Sequence, residues 1–283
     1  MNENVLKNVA WYESKYFDTF FMKVIHKIFG RNFIKNIVDK TADVCVISYP
    51  KAGRTWLRIM LTEYLLRLEG QGNKHKVTSL FDVHYRNRNV PLISVTHDTI
   101  DLGGGTKHRA RSFYENKKII LLIRGIKDLI VSYYYQEIAR NIGFKGPISD
   151  FIRNPKFGVN RVINFYNAWY RDRELVDDFC IIAYENLKND TEHELEILLK
   201  FIGLPVDRKA IKFAIEESSF DKLYTAQFST DLSYLKAYNQ DPRSLKVRKG
   251  KVGGYKEVLS EEDVHYINEQ CKKIDGNVGG LVQ

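Results

Sequence analysis

"VISYPKAGRTW", Val46 to Trp56, runs a short apolar stretch into a Pro, a Lys, a Gly and a hydroxyl residue. The apolar run Val44 to Tyr49 is too short for a helix and reads as a buried strand. From Thr55 onward Leu57, Met60, Leu61, Tyr64, Leu65 and Leu68 recur at spacings of three and four, which predicts a helix closed by Gly70. The stretch is therefore a strand, a tight loop and a helix. Backbone N–H groups and the helix dipole at such a junction favour an anion. Gly53 lets the backbone approach a phosphate, Lys51 adds a point charge and Thr55 a hydroxyl. A kinase or ATPase loop would read G-x-x-x-x-G-K-[ST], and this one does not.

The pattern repeats along the chain. "KKIILLIR", Lys117 to Arg124, predicts a second buried strand, followed by a helix over Lys127 to Arg140. "FCIIAY", Phe179 to Tyr184, predicts a third strand. The helix after it opens with Asp190 or Thr191 as cap, has Glu194 three residues after Thr191, and closes with Gly203 and Pro205. Strands alternating with helices imply an α/β fold, a central parallel sheet with helices on both faces. With no internal repeat, low-complexity tract or linker, residues 1–283 read as a single domain. Residues 1–40 form an N-terminal helical segment of it. Two stretches read as irregular: 73–116, polar and carrying Gly103 to Gly105, and 241–256, basic and glycine-rich. Long segments of this kind are often binding loops or lids.

Composition bounds the function. The 44 Lys+Arg against 35 Asp+Glu leave +9, which suits an anionic ligand or simply a basic surface. Cys45, Cys180 and Cys271 show no C-x-x-C spacing, and the seven histidines form no H-E-x-x-H pair. A reducing compartment, no disulfide framework and no metal site follow. No signal peptide is read at the N-terminus, and no run of about 18 apolar residues exists, so a cytoplasmic chain without a transmembrane segment is expected. "YFDTFFMKVIHKIF", Tyr16 to Phe29, has helical spacing beside Lys23 and Lys27, and either packs on the domain or touches a membrane surface.

Two further stretches carry chemistry. In "LIRGIKDLIVSYYYQ", Arg124 ends a strand and Ser132 follows eight residues later, a charged fork and a hydroxyl suited to one phosphate. In "RKGKVGGYK", Arg248 to Lys256, cations alternate with glycines able to wrap a phosphate. Taken singly, each also fits a plain turn, a solvent-facing Ser or a solvated basic loop. Their order decides. Y-P-K-x-G-x-T-W, then R-x-x-x-D-x-x-x-S, then R-K-G-x-x-G resembles the PAPS-dependent sulfotransferase family, from about Val44 to about Ile274.

That resemblance implies a P-loop-like fold that binds 3′-phosphoadenosine-5′-phosphosulfate (PAPS) and releases its desulfated product PAP, without a required metal. It places the 5′-phosphosulfate on Lys51, Ala52, Gly53, Arg54 and Thr55, with Trp56 on the adenine. It assigns Arg124, Ser132, Arg248, Lys249 and Gly250 to the 3′-phosphate. Tyr184 in "YENL" and Ser218 and Phe220 in "SSFDKL" match residues around the base.

Moving a sulfuryl group in line requires removal of the acceptor's proton, a task suited to an imidazole. "PLISVTHDT" puts His97 after Thr96, where the family carries its base, and Lys51 would stabilise charge on the bridging oxygen. His108 reads as part of a solvated basic loop. The region Leu80 to Asp101 offers Asp82, His84, Tyr85 and Asp98 as acceptor contacts. Buried polar groups demand polar partners, so the expectation is a small, polar acceptor, such as a hydroxylated or amine-bearing alkaloid, sulfated on O or N. Simple phenols or alcohols are the alternative acceptors, and a nucleotide kinase of related fold the alternative enzyme. Nucleic acid is not expected as a partner.

The chain departs from the family pattern at several places. Val95 stands where a Lys is common, Ala52 and Arg54 replace Ser and Thr, and Gly254-Tyr255 replaces Asp-Trp. The family's dimer signature is missing from "KEVLSEEDVHYINEQ", so a dimer would need another interface and the oligomeric state stays open.

Overall fold

A computed structural model describes residues 37–70, 80–97, 113–141, 143–228, 235, 241–276 and 278–282. Met1–Thr41 and Ala42–Gln283 are two compact units, and the sheet belongs to the second. The predicted N-terminal helix Tyr16 to Phe29, Gly103 to Gly105, His108 and Asp98 lie outside the described residues.

Four strands, β1 (Val44–Ser48), β2 (Ile93–Thr96), β3 (Lys118–Ile123) and β4 (Asp178–Ala183), form one sheet in the order β2-β1-β3-β4. Every pairing is parallel. The central strands β1 and β3 are buried along almost their whole length, which is why they read as unbroken apolar runs. Edge strand β4 is exposed or half-buried until Ile182.

Helix α1 (Arg54–Leu68) follows β1, and α2 (Leu80–Arg86) precedes β2. Helix α3 (Ile126–Gln136) follows β3, then α4 (Ile148–Arg153) and α5 (Val159–Arg171) lead toward β4. After β4 come α6 (Tyr184–Asn189), α7 (Thr191–Ile202), α8 (Arg208–Glu217) and α9 (Phe220–Ala226), and α10 (Glu261–Cys271) comes near the end. The crossovers β1–β2 and β3–β4 leave in opposite directions across the sheet, so their right-handedness places helices on opposite faces. Accordingly α1 packs against α8, while α3 packs against α4, α5 and α10.

Local chemistry explains the ends and corrects some expectations. Gly70 closes α1 with φ 70, donating its N–H to the Arg67 carbonyl at 3.1 Å. Asp190 caps α7, accepting the His193 N–H, and Thr191 instead donates its hydroxyl to the Leu187 carbonyl. The helix expected through Arg140 stops at Gln136 and continues as a π-turn, Glu137–Asn141. Residues 73–116 are less irregular than expected, because they hold α2 and the sheet strand β2. No helix among the described residues is long and apolar enough to cross a membrane.

Candidate active site

The chain turns toward β2 on one side of β1 and toward β4 on the other side of β3, so the sheet's topological switch lies between β1 and β3. Ligands of open α/β sheets bind outside the strand carboxyl ends at such a point. A cleft of about 610 Å³ opens there. Each strand exit delivers a residue to it: Lys51 after β1, His97 after β2, Arg124 after β3 and Tyr184 after β4.

The β1 exit is a strained, tightly packed loop. Lys51 sits at φ 73, a left-handed conformation that costs a side-chain-bearing residue about 1–2 kcal/mol. Gly53 adopts φ 100, and a Cβ there would stand 2.5 Å from the Tyr184 ring. Gly53 offers no side-chain acceptor to the first-turn amides of α1, which belong to cleft-lining Arg54 and Thr55. Ala52 does not line the cleft: it is buried, and its N–H closes a turn onto the Tyr49 carbonyl at 3.3 Å. Trp56 meets Tyr184 edge-on with ring centroids 5.7 Å apart, and the Lys188 ammonium lies 5.6 Å from the Trp56 ring centre.

The β3 exit is held from three sides. Buried Tyr166 accepts the Arg124 N–H at 3.0 Å and lies 3.1 Å from its carbonyl. The Glu185 carboxylate accepts the Gly125 N–H at 3.0 Å. The Arg124 guanidinium lies 4.5 Å from the Tyr184 ring centre and donates to the Lys51 carbonyl at 3.1 Å. Its Nε is buried without a hydrogen-bond partner among the described residues. Ser132 lines the same cleft from α3.

Asp128, whose role the sequence reading missed, ties the basic loop to α3. Its carboxylate accepts the Gly253 N–H at 2.6 Å and the Tyr255 N–H at 2.8 Å. Gly250, at φ 57, lies where a Cβ would stand 2.4 Å from the Phe220 ring. The Arg248 guanidinium lies over the Tyr135 ring, 4.4 Å from its centre. Lys249 directs its ammonium to Glu257 at 2.5 Å. Ser218 lines the cleft but is buried, and its hydroxyl donates to the Ala214 carbonyl at 2.7 Å.

His97 Nδ1 lies 2.9 Å from the Ser48 carbonyl oxygen. A carbonyl only accepts, so Nδ1 carries the ring proton of the neutral imidazole and the lone pair stands on Nε2. The β1–β2 register explains the contact: Ile47 pairs with Thr96, bringing the next residues, Ser48 and His97, level.

The lining is strongly positive. Among the described residues of the lining, nine Lys and Arg side chains face one carboxylate, that of Asp128, which is engaged with backbone amides. Burial first, then Arg140, Arg124, Arg248 and Lys246, pushes the Lys51 ammonium down to about 7. Burial, then Arg140, Arg58 and Arg54, pushes Lys246 down to about 8. Burial also lowers Arg248. Arg140 was not expected at the site, and Lys246 only as part of the basic stretch 241–256.

Asp82, His84 and Tyr85 do not line this cleft. The short helix α2 turns His84 onto its own loop, with Nδ1 2.6 Å from the Val90 carbonyl and Nε2 2.9 Å from Arg88. Among the described residues no group of three or more His, Cys, Asp or Glu side chains is arranged to hold a metal ion.

The orphaned Arg124 Nε, the two glycine cradles and the cationic lining fit a nucleotide with several anionic groups. The sulfotransferase domain family matches residues 41–278. Human sulfotransferase 1C2 is 24% identical over 249 residues, covering 79% of each chain. Flavonol 3-sulfotransferase of Flaveria bidentis is 26% identical over 279 residues, 85% of this chain and 83% of that protein. Among solved structures, a mouse sulfotransferase complexed with PAP superposes with a TM-score of 0.58 at 17% identity, covering 87% of this chain and 90% of that one. Retinol dehydratase with androsterone and the inactive cofactor PAP gives 0.59 at 14% identity, over 82% and 80%.

Proposed function

The chain belongs to the sulfotransferase family, and from that premise we propose that it uses PAPS as donor, with His97 as general base and Lys51 as the group that stabilises developing charge. PAPS supplies a sulfuryl group carried on a phosphate leaving group. The carrying observation is the convergence of His97, Lys51 and Arg124 from adjacent parallel strands onto one cationic cleft, with the His97 tautomer fixed by the Ser48 carbonyl.

The protein's own residues divide the work. The amides at the start of α1, with Lys51 and Thr55, hold the phosphosulfate. Arg124, Ser132, Arg248 and the Gly250 backbone hold the 3′-phosphate, which distinguishes this donor from ATP. Trp56, Tyr184 and Phe220 enclose the base, and Ser218 contributes shape, its hydroxyl being engaged with Ala214. Nε2 of His97 takes the acceptor's proton, and the Nδ1–H bond to Ser48 steadies the imidazolium that results. The Lys51 ammonium neutralises charge on the oxygen that the sulfuryl group leaves. The acceptor is a small polar molecule presenting a hydroxyl or a nitrogen.

The test is transfer of labelled sulfate from PAPS to a panel of phenols, alcohols and amines, beside equilibrium binding of PAP and ADP. Label should move, and His97→Ala should lower kcat by about 10²–10⁴-fold while PAP affinity holds. Equal turnover in the variant removes the base assignment. Failure to prefer PAP to ADP overturns the donor assignment.

A further inference from the structure

We infer that the end of the cleft lined by Arg140 and Lys246 is a subsite for an anionic group on the acceptor, a carboxylate, sulfate ester or phosphate ester. The inference rests on the sulfotransferase reading above and names the substrate class for it.

Ser132, Gln136 and Arg140 all line the cleft, at successive steps of four residues. The Cα of Arg140 therefore stands on the order of 10 Å along the axis from that of Ser132, across the π-turn. A phosphate held between Arg124 and Ser132 is not the group that Arg140 meets. The π-turn Glu137–Asn141, which carries Arg140, packs on the 3₁₀ turn Pro242–Ser244, and Lys246 follows that turn by two residues. Two independent elements thus bring a guanidinium and an ammonium to one end of the cleft.

The charge there is not needed for the donor. Lys51, Arg54, Arg124 and Arg248 are the cations that the donor's motifs supply, and Lys249 and Lys251 face Glu257. Among the described residues the Arg140 side chain makes no hydrogen bond or ion pair, and the one carboxylate of the lining, that of Asp128, is held by the Gly253 and Tyr255 amides. After burial, Arg140 is the largest influence lowering both Lys51 and Lys246, which places the three groups in one field. A guanidinium fork beside an ammonium suits a planar carboxylate or a tetrahedral oxyanion. The same field repels a protonated amine. The amine-bearing acceptor expected from Asp82 and its neighbours is thereby disfavoured, since Asp82, His84 and Tyr85 stand outside the cleft.

The experiment loads the protein with saturating PAP and titrates three phenols that share one ring: 4-hydroxyphenylacetate, tyrosol and tyramine. Calorimetry reads binding, and sulfate transfer from PAPS reads turnover. The expected order is anion, neutral, cation, with the carboxylate favoured by about tenfold over tyrosol. Arg140→Gln and Lys246→Gln should each abolish that preference, while PAP affinity changes by no more than about threefold. Equal or better binding of tyramine overturns the inference, as does no binding of the carboxylate at millimolar concentration. So does an Arg140→Gln loss of PAP affinity as large as that of Arg124→Gln, which would place Arg140 in the donor site. Failure of the unmodified protein to bind PAP is a separate result and breaks the donor reading itself.

Discussion

The two ends of the cleft are built differently. At the Arg124–Arg248 end, positions are fixed by backbone demands: Tyr166 grips the main chain of Arg124, Glu185 the amide of Gly125, and Asp128 the amides of Gly253 and Tyr255. Two glycines there let chain pass within van der Waals range of aromatic rings. At the Arg140–Lys246 end, long cationic side chains line the cleft. On the proposed reading the first end meets the donor, a ligand whose shape does not vary, and its geometry is set before binding. The second recognises charge at the tips of flexible side chains, a cheaper element to exchange.

If the first end is pre-formed, its glycines are the most damaging places to add one carbon. Gly53→Ala combines a left-handed φ with a Cβ 2.5 Å from Tyr184. We expect PAP affinity to fall by about 100-fold or more, with melting temperature lowered through backbone strain of about 1–2 kcal/mol. Gly203→Ala is the control: its φ of 89 carries the same kind of strain, but nothing lies within 4 Å of the added atom. Calorimetric titration with PAP should show the control binding normally. Equal loss in both variants would mean that fold strain, not the Tyr184 contact, sets affinity.

Asp128→Ala breaks the same end without touching a proposed donor contact. Removing the acceptor leaves the Gly253 and Tyr255 amides unpaired and releases the loop carrying Arg248. PAP affinity should drop by about tenfold, with ADP affinity much less affected, because the loss falls on the 3′-phosphate. Competition of PAP against ADP reads the ratio. A uniform loss for both nucleotides would reduce Asp128 to general stability.

The same contrast explains what the sequence made legible. β1 and β3 could be read because both are buried on two faces and so appear as apolar runs. Lys51, Gly53, Arg124 and Arg248, which line one cleft, could be singled out because each stands at a strand exit or beside a loop glycine. Asp128 lay inside a recognised motif, yet its partners are 125 and 127 residues away, and no local pattern records that. Arg140 was hidden by the π-turn, since helical periodicity does not foretell where a backbone re-aims a side chain. His84 misled because polarity in a segment says nothing about direction; its ring closes on Val90 and Arg88.

A proton count sharpens the electrostatic side of the comparison. Burial and four neighbouring cations push the Lys51 ammonium down to about 7 in the free protein. A polyanion raises that value, so the complex holds more protons than the free protein. PAP affinity should therefore be greatest below pH 7 and weaken several-fold as pH rises through about 8. Calorimetry in two buffers of different ionisation enthalpy should show proton uptake approaching one per PAP near pH 8. Proton release, or none, would mean that Lys51 is charged before the ligand arrives.

The smallest effect is expected inside the basic loop itself, where adjacent residues have different fates. Arg248 is half-buried over Tyr135, whereas the Lys249 ammonium is exposed and paired with Glu257. An exposed ion pair is screened by solvent and contributes little, and breaking it leaves Lys251 still beside Glu257. Lys249→Ala should change PAP affinity by only about twofold, with the loop's backbone amides unaffected. Arg248→Ala should cost at least about tenfold, since a charge-assisted bond to a phosphate is lost with the stacked side chain. Titration of the two variants at low and moderate salt separates them: a steep salt dependence of the Lys249 effect would mean that its ammonium leaves Glu257 for the ligand, and that the loop is less pre-formed than Asp128 makes it.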